Sequence, residues 1–92
     1  MDKELMDEVR AFAKLLYAPE EIGIALGISS ELIAGYMLDV DCDFYKCYWS
    51  AYFETDIKFR NSIIKLAIAG SSPAQVMVTK MNELREVKRF YE

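Results

Sequence analysis

Residues 19–38 constrain the fold of this chain more than any other segment. They run Pro-Glu-Glu-Ile-Gly-Ile-Ala-Leu-Gly-Ile-Ser-Ser-Glu-Leu-Ile-Ala-Gly-Tyr-Met-Leu. Ile22, Leu26, Ile28, Ile33 and Tyr36 fall where two short crossed helices must bury side chains, the pattern of a helix-turn-helix. Gly23 stands where the second helix presses closest. Gly27 stands where the turn needs a positive φ that other residues adopt only at a cost. Pro19 suits the first position of a helix, and Glu20 and Glu21 suit its positive N-terminal end. Ser29 is the expected N-cap of the following helix, with Ser30 as the alternative, and that helix is predicted to reach about Asp39.

The rest of the sequence also reads as helix, with no strand alternation, and predicts an all-α fold. Leu5, Val9, Phe12, Leu15 and Leu16 recur at helical spacing over a first helix from about Lys3 to Tyr17. A long fourth helix is expected from about Asp43 to Ala69, stopped by Gly70. Ser72 as N-cap, Pro73 as first helical residue and Gln75 as the capping-box partner predict the start of a fifth helix. Its expected apolar stripe is Ala74, Met77, Val78, Met81, Leu84, Val87 and Tyr91, with Lys80, Arg85, Lys88 and Arg89 on other faces. So short a connection predicts that the last two helices pack as an antiparallel hairpin. At 92 residues the chain is the size of one domain, with a helix-turn-helix part over 1–39 and the hairpin over 40–92.

Asp39, Asp41 and Asp43 match the first three ligands of a calcium-binding EF-hand loop. Phe44 replaces the glycine needed at the sixth position and Ser50 the closing glutamate at the twelfth. Capping of the fourth helix by Asp41 or Asp43 accounts for these acids better. Cys42 and Cys47, the only cysteines, are too few for a structural zinc site and read as reduced thiols. With no histidine, no phosphate-cradling glycine loop and no ligand cluster, the sequence predicts neither an enzyme nor a metal or other cofactor. No apolar run reaches membrane-spanning length, and the acidic N-terminus lacks the form of a signal peptide. A soluble, cytoplasmic protein is expected, with no membrane partner.

A helix-turn-helix turns its second helix toward the DNA major groove, so Ser29, Ser30 and Glu31 are the candidate contacts, with Ala34, Gly35 and Leu38 on the same face. None of these is cationic; Arg10, Lys14 and Lys46 are the nearest candidate phosphate contacts. Weak binding of double-stranded DNA is the expectation for one copy. The fourth helix opens on a dense group of rings. Phe44, Tyr48 and Tyr52 point about 100° away from Tyr45, Trp49 and Phe53, so the apolar stripe is broad. Tyr45, Tyr48, Trp49, Tyr52 and Phe53 are candidates for an interface with a partner or a second copy. Lys46 is the only cation among them, so packing explains the rings better than base stacking does.

Three segments carry a resemblance: Ala18-Pro-Glu-Glu-Ile-Gly-Ile-Ala-Leu-Gly-Ile-Ser29, Phe44-Tyr-Lys-Cys-Tyr48, and Arg60-Asn-Ser-Ile-Ile-Lys-Leu-Ala-Ile-Ala-Gly-Ser-Ser-Pro-Ala-Gln75. In this order they resemble small phage proteins related to the terminase small subunit, the DNA-packaging accessory. The likeness spans residues 12 to 84. It implies a homo-oligomer that binds packaging-site DNA and assists a separate large ATP-driven subunit. The chain departs from that pattern in lacking basic residues on its groove-facing helix. The alternative expectation is a protein-protein interaction module that keeps the helix-turn-helix as a scaffold and binds no DNA.

Overall fold

The computed structural model describes the backbone of residues 2–91 and the side chains of residues 2–83. The fold is all-α, with five helices in the described residues: α1 (Lys3–Lys14), α2 (Pro19–Leu26), α3 (Ser30–Leu38), α4 (Asp43–Ile68) and α5 (Ser72–Tyr91). None of them is long and apolar enough to cross a membrane. The chain forms two compact units, Met1–Asp56 and Ile57–Glu92, and α4 contributes to both.

In the first unit, α1, the α2–α3 pair and the first half of α4 share one core. Met6, Val9, Ala13, Ile22, Ile33, Phe44, Tyr48 and Ala51 are buried together. Leu26, Ile28 and Tyr36 pack on this cluster, so all five expected positions of the helix-turn-helix face inward. The two glycines perform the expected roles. A Cβ on Gly23 would stand 2.8 Å from Ile33 Cγ1 and 3.1 Å from the Ile28 carbonyl oxygen. Gly27 adopts φ +72° and ends α2, and the Ile28 N–H donates to the Gly23 carbonyl at 2.8 Å.

Three local expectations are corrected. The first helix stops at Lys14, three residues early. The Tyr17 N–H reaches back to the Phe12 carbonyl at 3.4 Å and the Leu16 N–H to that of Ala13 at 2.9 Å. This is a Schellman closure with leucine in the position that glycine usually fills, and Leu16 takes φ +66°. Ala18, which precedes proline, is extended, so the chain must leave helix before it. The buried stripe of α1 is accordingly Met6, Val9 and Ala13, and Leu15 is 71% exposed.

The second correction is the start of α4. Cys42 holds the position before the helix, and its carbonyl accepts the Lys46 N–H at 3.1 Å. Asp43 is the first helical residue, and Asp39, not Asp41, closes the preceding turn by accepting the Asp41 N–H at 3.0 Å. The third is the cap of α5. Ser71 rather than Ser72 precedes the helix, and its Oγ accepts the Ala74 N–H at 3.4 Å. The Gln75 amide donates to the Ala67 carbonyl at 3.1 Å instead of reaching back to the cap.

In the second unit, the end of α4 packs against α5 as an antiparallel hairpin. Gly70 (φ +103°) closes α4 as expected, with the Ser71 N–H on the Leu66 carbonyl at 3.0 Å and the Gly70 N–H on that of Ala67 at 3.1 Å. Ile63 and Ala74 are its buried side chains among the described residues. Leu84, Arg85, Val87, Lys88, Arg89 and Tyr91 of the expected α5 pattern have side chains outside the described residues.

Candidate nucleic-acid interface

The second helix of the motif starts where the sequence places it. Ser29 Oγ accepts the Leu32 N–H at 3.2 Å and caps α3, leaving the hydroxyl hydrogen available to an outside acceptor. Ser29, Ser30, Glu31, Ala34, Gly35 and Leu38 are all exposed, so one outward face of α3 collects the six expected groove-facing positions. Leu38 is 87% exposed, and Leu32, which periodicity alone did not mark, is half exposed on the same helix. Gly35 is a separate case, because a Cβ there would meet nothing within 4 Å. An interior helix glycine costs about 0.5–1 kcal/mol relative to alanine, and no close packing among the described residues requires this one.

The three candidate cations lie off this face. Arg10 Nη1 sits 2.9 Å from Asp7 Oδ1, three residues earlier on α1. Lys14 Nζ lies 3.9 Å from Glu54 Oε2 of α4, an ion pair that ties the end of α1 to α4. Lys46 is exposed on the first turns of α4. Exposed pairs of this kind are worth about 0–1 kcal/mol, so a phosphate can compete for either cation at small cost. The charge of the α3 face itself is that of Glu31.

The rings at the start of α4 separate by side of the helix. Phe44 and Tyr48 are buried, with Tyr36 stacked on Phe44 at 5.4 Å between ring centroids. Tyr48 is 2% exposed and therefore a core residue, a correction to its place among the interface candidates. Its hydroxyl donates to the Tyr17 carbonyl at 2.8 Å, which locks the α1–α2 connection onto α4. Burial pushes the Tyr48 phenol up to about 12, helped by the nearby Tyr52, Glu20 and Glu21. Tyr45, Trp49 and Tyr52 are half-buried and Phe53 is exposed. Trp49 is the hub of this group, edge-on to Tyr45, Tyr48 and Tyr52 and stacked on Phe53 at 5.5 Å.

A second surface feature lies on the same unit and had no expectation attached to it. Phe12, Tyr17, Glu21, Ile24 and Ala25 line an open groove of about 350 Å³ between α1 and α2. Ile24 is two residues from Ile22, about 200° round the helix, so one buried isoleucine puts the other outside at 84% exposure. That spacing was a readable signal. Cys42 and Cys47 are free and half-buried. Among the described residues, no group of three or more His, Cys, Asp or Glu side chains stands together as a metal site. In comparisons with known proteins, no family model, no curated protein and no solved structure matches the chain.

Proposed function

We propose that this protein is a non-catalytic helix-turn-helix accessory that engages double-stranded DNA as a homo-oligomer in the cytoplasm. Its role would be that of a phage packaging small subunit, serving a large ATP-driven partner. The observation that carries this reading is the outward face of α3. Ser29, Ser30 and Glu31 open its N-terminus, and Gly35 leaves its backbone bare one turn later. A serine hydroxyl can contact a base or a phosphate, and Glu31 can accept from a cytosine amine. A bare glycine admits close approach of another surface. Arg10 and Lys14 on α1 and Lys46 on α4 are the candidate phosphate contacts off that face, and several copies acting together raise avidity without new contacts.

The test is fluorescence anisotropy with mixed-sequence duplex DNA at about 50 and 200 mM salt. Six or more phosphate contacts, summed over an assembly, lower the affinity on the order of 10³-fold across that range. Lys14→Glu and Lys46→Glu each weaken binding at low salt. Absence of binding at 50 mM salt by the folded protein overturns the reading.

A second reading has its own observation. Leu32 and Leu38 are exposed on α3, a helix with no Lys or Arg in its sequence, which suits docking onto a protein. This interaction-module reading expects no salt-sensitive DNA binding, and a complex that weakens on Leu38→Ser.

A further inference from the structure

Among its described residues, the hairpin unit leaves several large apolar side chains exposed. Ile63 and Ala74 are buried, whereas Ile57, Phe59, Leu66, Ile68, Val76 and Met77 are exposed. On α5, the neighbouring Val76 and Met77 form an exposed apolar patch that another surface can cover. The first unit has an open counterpart, the groove of Phe12, Tyr17, Glu21, Ile24 and Ala25, flanked in sequence by exposed Leu15.

Charge decides what the cover is. Residues 1–56 carry four basic and twelve acidic side chains, net −8, and residues 57–92 carry seven basic and three acidic, net +4. Two hairpin units would meet as like charges, and so would two copies of the acidic unit. One of each is complementary in sign and in apolar surface. On α5, Val76 and Lys80 are four residues apart and Met77 and Lys80 three, so an apolar pair and a cation share one exposed stretch. Glu21 lines the groove with Ile24 and Ala25, and Glu20, exposed, is four residues before Ile24 on the same helix.

We infer that a second copy of this chain covers the groove, its α5 face of Val76, Met77 and Lys80 seated on Ile24 and the Glu20–Glu21 carboxylates. The contact is head-to-tail, so each copy offers one groove and one hairpin, and copies add until a ring closes or a filament grows. The inference rests on the homo-oligomer part of the function proposed above and specifies its surfaces.

The test uses two full-chain variants, Ile24→Asp and Val76→Asp, both at exposed positions, with sedimentation velocity over a range of concentrations. Circular dichroism checks folding, and the milder Ile24→Ser and Val76→Ser replace any variant that loses helix. The wild type is expected to assemble beyond a dimer, with a dissociation constant that rises about tenfold or more between roughly 50 and 500 mM salt as the charges are screened. Each aspartate variant alone is monomeric. Their equimolar mixture stops at a one-to-one dimer, because one intact groove and one intact hairpin remain. A wild type that stays monomeric overturns both this contact and the oligomer reading. A wild-type oligomer that Ile24→Asp leaves intact overturns the contact alone, and so does a mixture that fails to pair.

Discussion

Tyr48 joins three parts of the first unit through one side chain, with its ring in the core, its edge against Trp49 and its hydroxyl on the Tyr17 carbonyl. Its phenol, held up to about 12 first by burial, binds its proton more tightly in the folded state than in the unfolded chain, where it titrates near 10. The sign follows from linkage. The stabilisation is fully present below about pH 10 and is lost as pH rises through about 12. Tyr48→Phe, which removes the hydroxyl bond, is expected to cost about 0.5–1.5 kcal/mol near neutral pH. Urea unfolding from pH 8 to 12 should show the wild type's advantage over the phenylalanine variant shrinking above pH 10. A constant advantage would mean that the phenol titrates alike in both states. At the same scale, Leu16 in a left-handed conformation is a residue no propensity marks. Glycine or asparagine would signal that turn; leucine conceals it.

At the scale of the element, the helix-turn-helix separates two kinds of helical glycine. Gly23→Ala drives a methyl into Ile33, whose branched side chain has little freedom to move, and against the Ile28 carbonyl. The overpacking cost of about 1–3 kcal/mol exceeds the alanine propensity gain of at most about 1, so the variant is less stable. Gly35→Ala meets nothing and gains about 0.5–1 kcal/mol. Chemical denaturation of the two variants checks the opposite signs. If the face of α3 binds DNA closely at Gly35, the same alanine that stabilises the fold weakens DNA binding. Ser29→Ala removes the α3 cap and is expected to cost about 1 kcal/mol, measured in the same unfolding experiment.

At the scale of the whole molecule, the two units differ in how much they bury. The first encloses eight side chains in one cluster, Phe44 and Tyr48 among them, whereas the hairpin encloses Ile63 and Ala74 among the described residues. Regions with few buried apolar contacts open at lower free energy. In monomeric Val76→Asp, backbone amides of α5 are therefore expected to exchange with solvent well before those of Val9, Ile22 and Phe44. In an assembled wild type, protection of α5 rises with protein concentration while that of the first unit does not. Equal protection throughout the monomer would show that the hairpin needs no cover.

The five helices, the helix-turn-helix register from Ile22 to Tyr36 and the roles of Gly23, Gly27, Ser29 and Gly70 were all legible in the order of residues. Each of these rests on a local rule, whether helical periodicity, positive φ, capping or close approach, and local rules are written in neighbouring residues. The end of α1 was set by packing, because Leu16 breaks the glycine preference and the Tyr48 hydroxyl on the neighbouring Tyr17 carbonyl helps hold the turn. The fold also chose Ser71 over Ser72 and Cys42 over Asp41 or Asp43 at the helix starts, where adjacent residues compete on nearly equal terms. Among the rings, both sides of α4 are aromatic, so periodicity cannot tell core from surface. Contact with α1 and α3 puts Phe44 and Tyr48 inside and leaves Phe53 out. The groove beside Ile24 is likewise a property of two helices meeting, and no stretch of sequence encodes a gap between them.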